Sequence, residues 1–347
     1  MNIAFFVNGM ADEHPHYTTT ILANECARRG HTVLYITPGD FLIRGDNSLH
    51  VHGRFPPKRK YRTFKEFFAA LQDESEKRVI DMAEVDVLML RNDPSNDANE
   101  RPWAEGAGIL FGREAAKRGV LVLNDPDGLS RAVNKLYFQS FPEEVRAETL
   151  ISKHAADIKA FSEEHGGKVI LKPLQGSGGQ GVFSVGGKDA PNINQMIEAI
   201  SRDGYVIAQA YLPAAAKGDI RLFLLNGQPL RIGNKYCALR RVAAKGDIRS
   251  NVHAGGSMEP ADIGETELRL AEVIRPKLLQ DGMFLVGIDI VGDKILEVNV
   301  FSPGNLHTCS KLAGVRFSTP ILESIERKIE IRRDPSCSLD NRALAVL

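Results

Sequence analysis

The stretch KVILKPLQGSGGQGVFSV, residues 168–185, decides the fold of this chain. A mainly apolar run containing Lys172 leads into a loop, residues 175–181, with glycine at 176, 178, 179 and 181, and a second apolar run follows. Glycine lets backbone N–H groups approach phosphate oxygens closely, and so many glycines cost conformational order in a purely structural turn. The stretch therefore predicts two strands joined by a flexible flap over phosphate groups. A mobile β-turn without a ligand is the alternative.

Residues 176–181, GSGGQG, also match the dinucleotide-binding pattern G-x-G-x-x-G letter for letter. That fingerprint functions only where the glycines open a helix whose N-terminus meets the pyrophosphate. Here residues 182–185, VFSV, are typical of a strand, and the Lys-Ser/Thr pair of a Walker loop does not follow the glycines. We therefore reject both of these nucleotide-binding loops and favour the hairpin flap.

A second informative stretch, GIDIVGDKILEVNV at residues 287–300, places acidic side chains on a predicted hairpin. Glu297 and Asn299 are two apart on one strand and share a face. We expect Asp289 to lie directly opposite Glu297, which in a regular hairpin requires a three-residue connection over 292–294. Such oxygen ligands suit Mg²⁺ that bridges substrate phosphates. The alternative is the exposed polar face of an edge hairpin.

Basic residues follow in the second half of the chain. Arg221 alternates onto the same strand face as Asp219, and Arg241 precedes a long loop that also holds Arg249 and Asn251. A planar guanidinium suits phosphate recognition, and a loop of this length, residues 243–257, is predicted to be a lid. For any one arginine, a solvated surface position is the alternative.

The fold class expected from the rest of the pattern is an α/β parallel-sheet domain followed by an α+β fold with antiparallel sheets. Predicted strands at 2–8, 31–37, 86–92 and 120–124 alternate with helices at 17–29, 63–73 and 101–118, with helices on both sheet faces. Later segments are a helix at 129–140, a strand at 205–212, hairpins at 220–242 and 284–300, and a helix at 265–280 with a kink at Pro276. We divide the chain into domains at 1–124, 125–204 and 205–330, with a tail at 331–347.

The composition excludes several classes of protein. The chain has 347 residues, 44 basic and 44 acidic, so its formal net charge is zero, which argues against a nucleic-acid or membrane-surface protein. The N-terminus resembles a first strand more than a signal peptide. Four scattered cysteines suggest free thiols and a cytoplasmic location, and the histidines show no spacing typical of a zinc site.

The order of spaced motifs resembles that of the ATP-grasp ligases, and most closely the bacterial glutathione synthetases. The motifs are NKL at 134–136, ILKPL at 170–174, GG at 178–179, QAYLP at 209–213, GDIR at 218–221, RSN at 249–251, AGG at 254–256, GID at 287–289 and EVNV at 297–300. In the first domain, DVLMLRNDP at 86–94 is similar to that family's strand ending in Arg-Lys-Asp-Pro. The likeness covers roughly residues 1–330.

This resemblance implies roles for individual residues. The ATP site would comprise Lys135 and Lys172 at the phosphates, the flap glycines Gly178, Gly179 and Gly181, the adenine strand with Gln209, Tyr211 and Leu212, and Asp219 and Arg221. Catalysis would depend on Arg241, Arg249 and Asn251, which stabilise the phosphate and the oxyanion. Two Mg²⁺ ions, which Mn²⁺ could replace, would bind Asp289, Glu297 and Asn299. Substrate contacts would come from Arg91, Ser302, Pro303 and Gly304.

The resemblance implies that the enzyme joins a carboxylate donor, γ-glutamylcysteine, to the amine of glycine through an acyl phosphate. Its partners would be small-molecule substrates, and it could form homo-oligomers. Two departures concern the substrates. SPGNL at 302–306 replaces Ser-Pro-Thr-Cys, and Asn92 replaces a lysine. The alternatives are therefore a ligase for another donor or amine, or an ATP-binding protein without ligase activity.

Overall fold

The computed structural model of this chain describes residues 1–98, 100–176, 181–186, 191–242 and 256–347. Within these residues the strands form three larger sheets and one two-stranded ribbon. The first sheet contains parallel neighbours, and the pairings in the later sheets are antiparallel. The predicted fold class is confirmed.

The first sheet has seven strands: β1 (Asn2–Phe6), β2 (Thr32–Ile36), β3 (Phe41–Ile43), β4 (Leu49–Phe55), β5 (Glu76–Asp81), β6 (Val87–Leu90) and β7 (Leu121–Leu123). Four of them, β1, β2, β6 and β7, are parallel neighbours, as predicted. The antiparallel edge formed by β3, β4 and β5 was not predicted. Its outer strand β5 is mostly exposed and charged, so it lacks the apolar pattern that marks a buried strand.

Five helices accompany this sheet: α1 (Thr18–Arg28), α2 (Phe64–Asp73), α3 (Pro94–Asp97), α4 (Pro102–Glu105) and α5 (Ala107–Lys117). Successive residues of β1 enter two different cores, Phe5 one and Phe6 the other, so both sheet faces are covered. The single helix predicted over 101–118 is wrong, because the chain breaks at Gly106 between α4 and α5. A glycine inside a helix costs about 1 kcal/mol relative to alanine, which favours a break there.

The connection to the second sheet differs from its prediction. Instead of one helix over 129–140, α6 (Pro126–Arg131) ends and a 3₁₀-helix, Lys135–Ser140, begins. The Asn134 side chain caps this new start, because its oxygen accepts the Leu136 N–H at 3.0 Å. This break separates the segment that carries Lys135 from α6.

The second sheet is antiparallel, in the order β10-β9-β11-β8. Its elements are β8 (Thr149–Ser152), α7 (Ala155–Glu164), β9 (Val169–Pro173), β10 (Phe183–Val185), α8 (Ile193–Ser201) and β11 (Val206–Ala210). Ile158 of α7 and Ile197 of α8 pack with Val169 and Leu171 of β9 in one core, so the helices cover one face. The other face is left for the site described below.

The third sheet has six strands and is also antiparallel. The elements in chain order are β12 (Asp219–Leu225), β13 (Gln228–Pro229), β14 (Arg231–Ile232), β15 (Lys235–Tyr236), β16 (Ala238–Val242), β17 (Ser257–Glu259), α9 (Glu265–Gln280), β18 (Leu285–Val291) and β19 (Lys294–Asn299), with β14 and β15 forming the separate ribbon. The tight turn at Asn226-Gly227 is confirmed by positive φ angles of 51° and 72°. The prediction of one long strand over 229–242 is wrong, since the chain there forms four short strands. Pro276 lies inside an unbroken α9.

The hairpin of β18 and β19 confirms one prediction and corrects another. Asp289 lies opposite Glu297, as expected. The connection has two residues, however, because Val291 pairs with Lys294 and Gly292 adopts a φ of 60°. The register shifts next to Asp289, where a β-bulge takes up the odd residue at Leu296. A bulge and a longer turn satisfy the same register, and the sequence pattern could not distinguish them.

Three helices complete the chain: α10 (Leu306–Ala313), α11 (Ser318–Arg333) and α12 (Asn341–Ala345). Residues 331–347, predicted as a tail, end α11 and form α12. Leu344 is buried, and Asn341 Nδ2 donates to Val122 O at 3.0 Å and to Asp125 Oδ2 at 2.8 Å. Among the described residues, no helix has the length and apolar character needed to span a membrane.

Candidate active site

A cleft with a cavity of about 150 Å³ opens between the second sheet and β19 of the third sheet. Thr149, Lys172 and Gln209 line it from three neighbouring strands of the second sheet, and Glu297 and Asn299 line it from β19. Lys135 and Ser302 also line it. The two motifs quoted first from the sequence, over 100 residues apart, therefore face each other across one cleft.

The two lysines are partly buried and have neutral partners. Lys172 Nζ donates to Gln209 Oε1 at 3.1 Å, and Lys135 Nζ donates to Pro173 O at 3.2 Å and Gly176 O at 2.5 Å. Burial lowers the pKa of Lys172 to about 8, although Glu297 across the cleft opposes this shift. Burial also lowers the pKa of Lys135. Buried ammonium groups without a counter-ion are prepared to receive an anion.

The glycine flap is described only at its two ends. Gly176 and Gly181 have φ angles of 105° and 68°, which favour glycine. A Cβ at Gly181 would lie 3.3 Å from Pro173 Cδ, so this end of the loop returns close to β9. Gly178 and Gly179 lie outside the described residues, and their contact with phosphates stays a prediction.

The acidic residues lie on the same face of the third sheet. Asp289 and Glu297 are cross-strand neighbours, and Asn299 is two residues further along β19. Asn299 Nδ2 approaches Asp289 Oδ2 at 3.4 Å. This bond uses the amide nitrogen, so the amide oxygen is not consumed by it. The arrangement brings the three predicted metal ligands together.

Two arginines of this sheet neutralise Asp219 and Asp289. Arg221 binds both carboxylate oxygens of Asp289, one of them from Nη2 at 2.8 Å, and Arg241 Nη2 lies 2.8 Å from Asp289 Oδ2. Arg241 Nε also donates to Asp219 Oδ2 at 2.9 Å. Burial alone would raise the pKa of Asp289, but the two arginines lower it to about 2. Arg221, Arg241, Asp219 and Asp289 thus form a compensated ion network.

This donor set fits a divalent ion that is shared with a nucleotide. No three His, Cys, Asp or Glu side chains come together as a metal site in the part of the chain that the structure describes. Mg²⁺ in nucleotide sites needs only one or two carboxylates, because water and phosphate oxygens fill its other positions. Glu297 and Asn299 are at the cleft, while Asp289 offers oxygens that already accept bonds from Arg221 and Arg241.

Other predicted nucleotide residues separate into two groups. Gln209 lines the cleft, and its Nε2 donates to Thr149 Oγ1 at 3.4 Å. Tyr211 and Leu212 follow the end of β11, and neither is among the described residues that line the cavity. Asp219 is buried against Arg241. Arg249, Asn251 and most of the predicted lid at 243–257 lie outside the described residues.

The predicted substrate residues meet where the first sheet contacts the chain after β19. Arg91, at the carboxyl end of β6, donates from Nη1 to Phe301 O at 3.4 Å and from Nη2 to Pro303 O at 3.1 Å. Burial lowers the pKa of Arg91 to about 10, and Glu13 opposes this shift. Ser302 lines the cleft, while Gly304 lies just past Pro303. Arg91 therefore holds the predicted acceptor turn in place through main-chain oxygens.

Two residues near this turn were missed in the sequence. A Cβ at Gly287 would lie 2.9 Å from Pro303 Cβ and 3.1 Å from Arg221 Cδ, so glycine makes room for both. A glycine inside a strand signals such a close approach and could have identified the position. Burial raises the pKa of Glu13 to about 7, in spite of nearby Arg91. No local pattern marks Glu13, because the fold alone brings its loop to Arg91.

Among the described residues, the histidines and cysteines show no catalytic arrangement. The His16 and His307 rings lie 5.0 Å apart, and Phe64 packs against both. Burial and neighbouring cations lower the pKa of His307. All four cysteines are free, and Cys309 is fully buried. His253 lies outside the described residues.

Comparisons with known proteins identify the family of this chain. The family model of the prokaryotic glutathione synthetase N-terminal domain matches residues 1–130, and the model of the ATP-grasp domain of the same family matches residues 134–314. A glutathione synthetase of Vibrio vulnificus is 33% identical over 308 residues, which cover 88% of this chain and 91% of the relative. A glutathione synthetase of Escherichia coli is 33% identical over 309 residues, with the same coverage.

Solved structures show the same fold at lower identity. A D-cycloserine synthetase superposes with a TM-score of 0.59 at 13% identity, covering 94% of this chain and all of the other. A D-alanyl-alanine synthetase from Vibrio cholerae superposes with a TM-score of 0.56 at 13% identity, covering 95% and 98%. The ATP-grasp architecture accounts for the use of ATP with a divalent metal ion, and the family members are ATP-dependent ligases that form an amide bond. The chain belongs to the prokaryotic glutathione synthetase family of ATP-grasp ligases.

Proposed function

We propose that this protein is a glutathione synthetase, which joins γ-glutamylcysteine to glycine and converts ATP to ADP and phosphate. The observation that carries the proposal is the cleft in which Lys135 and Lys172 face Glu297 and Asn299. Two unneutralised lysines suit a polyphosphate, and the oxygen ligands opposite suit the divalent ion that accompanies it. The names of the relatives that align over 88% of the chain support the choice of substrates.

The chain's own residues would divide the work as follows. Lys135 and Lys172 hold the phosphates, with the flap of Gly178, Gly179 and Gly181 above them. Gln209 to Leu212 contact the adenine by their main chain, and Asp219 lies towards the ribose. Asp289, Glu297 and Asn299 would hold two Mg²⁺ ions, or Mn²⁺ in their place, which would supply positive charge for the transferring phosphoryl group.

The reaction we propose proceeds through an acyl phosphate. The donor carboxylate attacks the γ-phosphate and displaces ADP, and the amine then attacks the acyl carbon, loses a proton and displaces phosphate. Arg241 is positioned by Asp219 and Asp289 on the sheet face next to the cleft, and with Arg249 and Asn251 it would stabilise the anionic states. Closure of the flap and of the 243–257 lid would protect the acyl phosphate from water.

The predicted acceptor turn follows β19 and contacts Arg91. The bonds from Arg91 to Phe301 O and Pro303 O support the proposal that Ser302, Pro303 and Gly304 position the amine. The segment SPGNL at 302–306 differs from the family pattern quoted above, and this difference favours a second candidate, a ligase that uses another amine.

We also propose a cytoplasmic location, homo-oligomers, and domain limits at 124, 204 and 330.

The test is phosphate release by the purified protein with Mg-ATP, γ-glutamylcysteine and glycine, omitting each substrate in turn. Release that needs both substrates, together with a product of the mass of glutathione, is expected. Release with γ-glutamylcysteine and a different amine would keep the ligase mechanism and replace glycine. Absence of release with a broad panel of donors and amines, despite ATP binding, would support a binding protein without ligase activity.

A further inference from the structure

A buried carboxylate outside the cleft ties the phosphate lysine to the third domain. Asp281 follows α9 directly and its side chain is fully buried. Its Oδ1 accepts from Arg131 Nη1 at 2.6 Å, and its Oδ2 accepts from Tyr137 Oη at 2.9 Å and lies 2.6 Å from Lys277 Nζ. We name these four residues the Asp281 latch.

The latch joins two segments that are far apart in sequence. Arg131 ends α6 and Tyr137 lies in the 3₁₀-helix after it, whereas Lys277 and Asp281 belong to α9 and its end. The backbones touch as well, since a Cβ at Gly128 would lie 1.8 Å from Asp281 O. A buried carboxylate with three polar partners holds such a contact in one arrangement.

Tyr137 brings this contact to the cleft. It lies two residues after Lys135, is 7% exposed and lines the cavity. Lys277 Nζ lies 5.6 Å from the centre of its ring, and Phe141 packs edge-on against the ring at 5.2 Å. The hydroxyl, the ring and the neighbouring cation together fix the side chain, and with it the turn that carries Lys135.

Lys135 in turn contacts the base of the glycine flap. Its N–H donates to Leu174 O at 3.1 Å, and its Nζ reaches Pro173 O and Gly176 O. The contacts of Tyr137 with α9 and those of Lys135 with the start of the flap are therefore joined through the short 3₁₀-helix that carries both residues. Displacement of a binding group by about 1 Å is enough to weaken its interaction with a phosphate.

We infer that the Asp281 latch is a positioning device for Lys135, and that it sets nucleotide affinity through Tyr137. The inference rests on the proposed nucleotide cleft but not on the identity of donor or amine. It assigns a role in substrate binding to Tyr137 and Asp281, neither of which was predicted to be a site residue from the sequence.

The test is the dissociation constant of Mg-ADP, measured by calorimetry on the full chain. We expect Tyr137→Phe to weaken binding about fivefold to tenfold, because the ring is kept while a hydrogen bond to a charged group is lost. In a Lys135→Met background the same substitution should change the constant less than about twofold. Tyr61→Phe removes a hydroxyl from another buried tyrosine, bonded to Pro57 O, and should leave the constant unchanged.

Each outcome decides between a positioning and a structural role. Equal weakening by Tyr137→Phe with and without Lys135 would overturn the inference, as would an unchanged constant. Asp281→Asn, which retains an acceptor for Tyr137, should weaken binding less than Asp281→Ala, and the opposite order would also overturn it. A parent chain that bound no Mg-ADP would instead overturn the nucleotide cleft itself, and the latch with it.

Discussion

The two sheets that flank the cleft, which we call its two walls, differ in how their positive charges are paired. On the side of the second sheet, Lys135 and Lys172 donate to carbonyl and amide oxygens, and neither forms an ion pair with any residue that the structure describes. On the third sheet, Arg221 and Arg241 are both bonded to carboxylates. One wall therefore carries positive charge that is not paired with an anion. The arginines of the other wall are neutralised within the protein.

This difference predicts different roles for the lysines and the arginines. An uncompensated buried ammonium is unfavourable until an anion arrives, so its cost is recovered on ligand binding. A buried ion pair is already satisfied, and removing one partner leaves a buried charge alone. We therefore expect the lysines to matter for affinity and the arginines to matter also for stability.

Replacing Glu297, an acid on the third-sheet wall of the cleft, should have the largest effect. Glu297 faces the lysines across the cleft and is a predicted metal ligand. Glu297→Gln should lower kcat about 1000-fold, because a ligand of the catalytic ion is worth several kcal/mol in the transition state. Phosphate release measures it, and Asp293→Asn at the exposed hairpin tip is the control. Near-normal turnover would remove Glu297 from the metal site and make it only a partner of the lysines.

Breaking the compensated wall should have the next largest effect, on stability. Arg221→Met leaves Asp289 buried with Arg241 alone, and we expect a loss of about 3 kcal/mol in the free energy of unfolding without ligand. Urea denaturation measures this, with Arg231→Met on the exposed ribbon as the matched control, for which we expect less than about 0.5 kcal/mol. Equal stability of the two variants would mean that the network does not stabilise the fold.

Replacing a lysine of the other wall should have the opposite effect, which is a loss of affinity with little loss of stability. Lys172→Met should weaken Mg-ADP binding about 10- to 100-fold, the loss of one charge-assisted bond to phosphate. The free energy of unfolding without ligand should stay within about 1 kcal/mol of the parent, because no ion pair is broken. Lys153→Met, an exposed lysine after β8, controls for the substitution. A large loss of stability would contradict the division between the two walls.

The smallest effect we predict is on pH dependence. The pKa of Lys172 is lowered to about 8, so this group loses its proton as the pH rises through that value. If only the charged form binds phosphate, Mg-ADP affinity should fall about tenfold between pH 7 and pH 9. Lys172→Arg, which keeps its charge, should show a flatter profile. A parent profile that is equally flat would show that this ammonium does not contact the nucleotide.

The walls also differ in how far they could be predicted from sequence. The strand-loop-strand around Lys172 and the acidic face of Asp289, Glu297 and Asn299 depend on local periodicity, and their secondary structure and register were confirmed. The bulge at Leu296 and the break before Lys135 were not foreseen, because different local geometries satisfy the same pattern. The pairing of Arg221 with Asp289 depends on which strands become neighbours, which is set by the tertiary fold.

The neutral partners of the two lysines have a consequence for enzyme turnover. A site built for phosphate groups without its own counter-ion does not distinguish strongly between a nucleotide and a small dianion. Inorganic phosphate is a product of the proposed reaction, so the enzyme should slow as its own product accumulates. Sulfate and phosphate buffers should compete with ATP in the same way, and the competition should weaken in Lys172→Met, which initial rates at increasing phosphate would reveal.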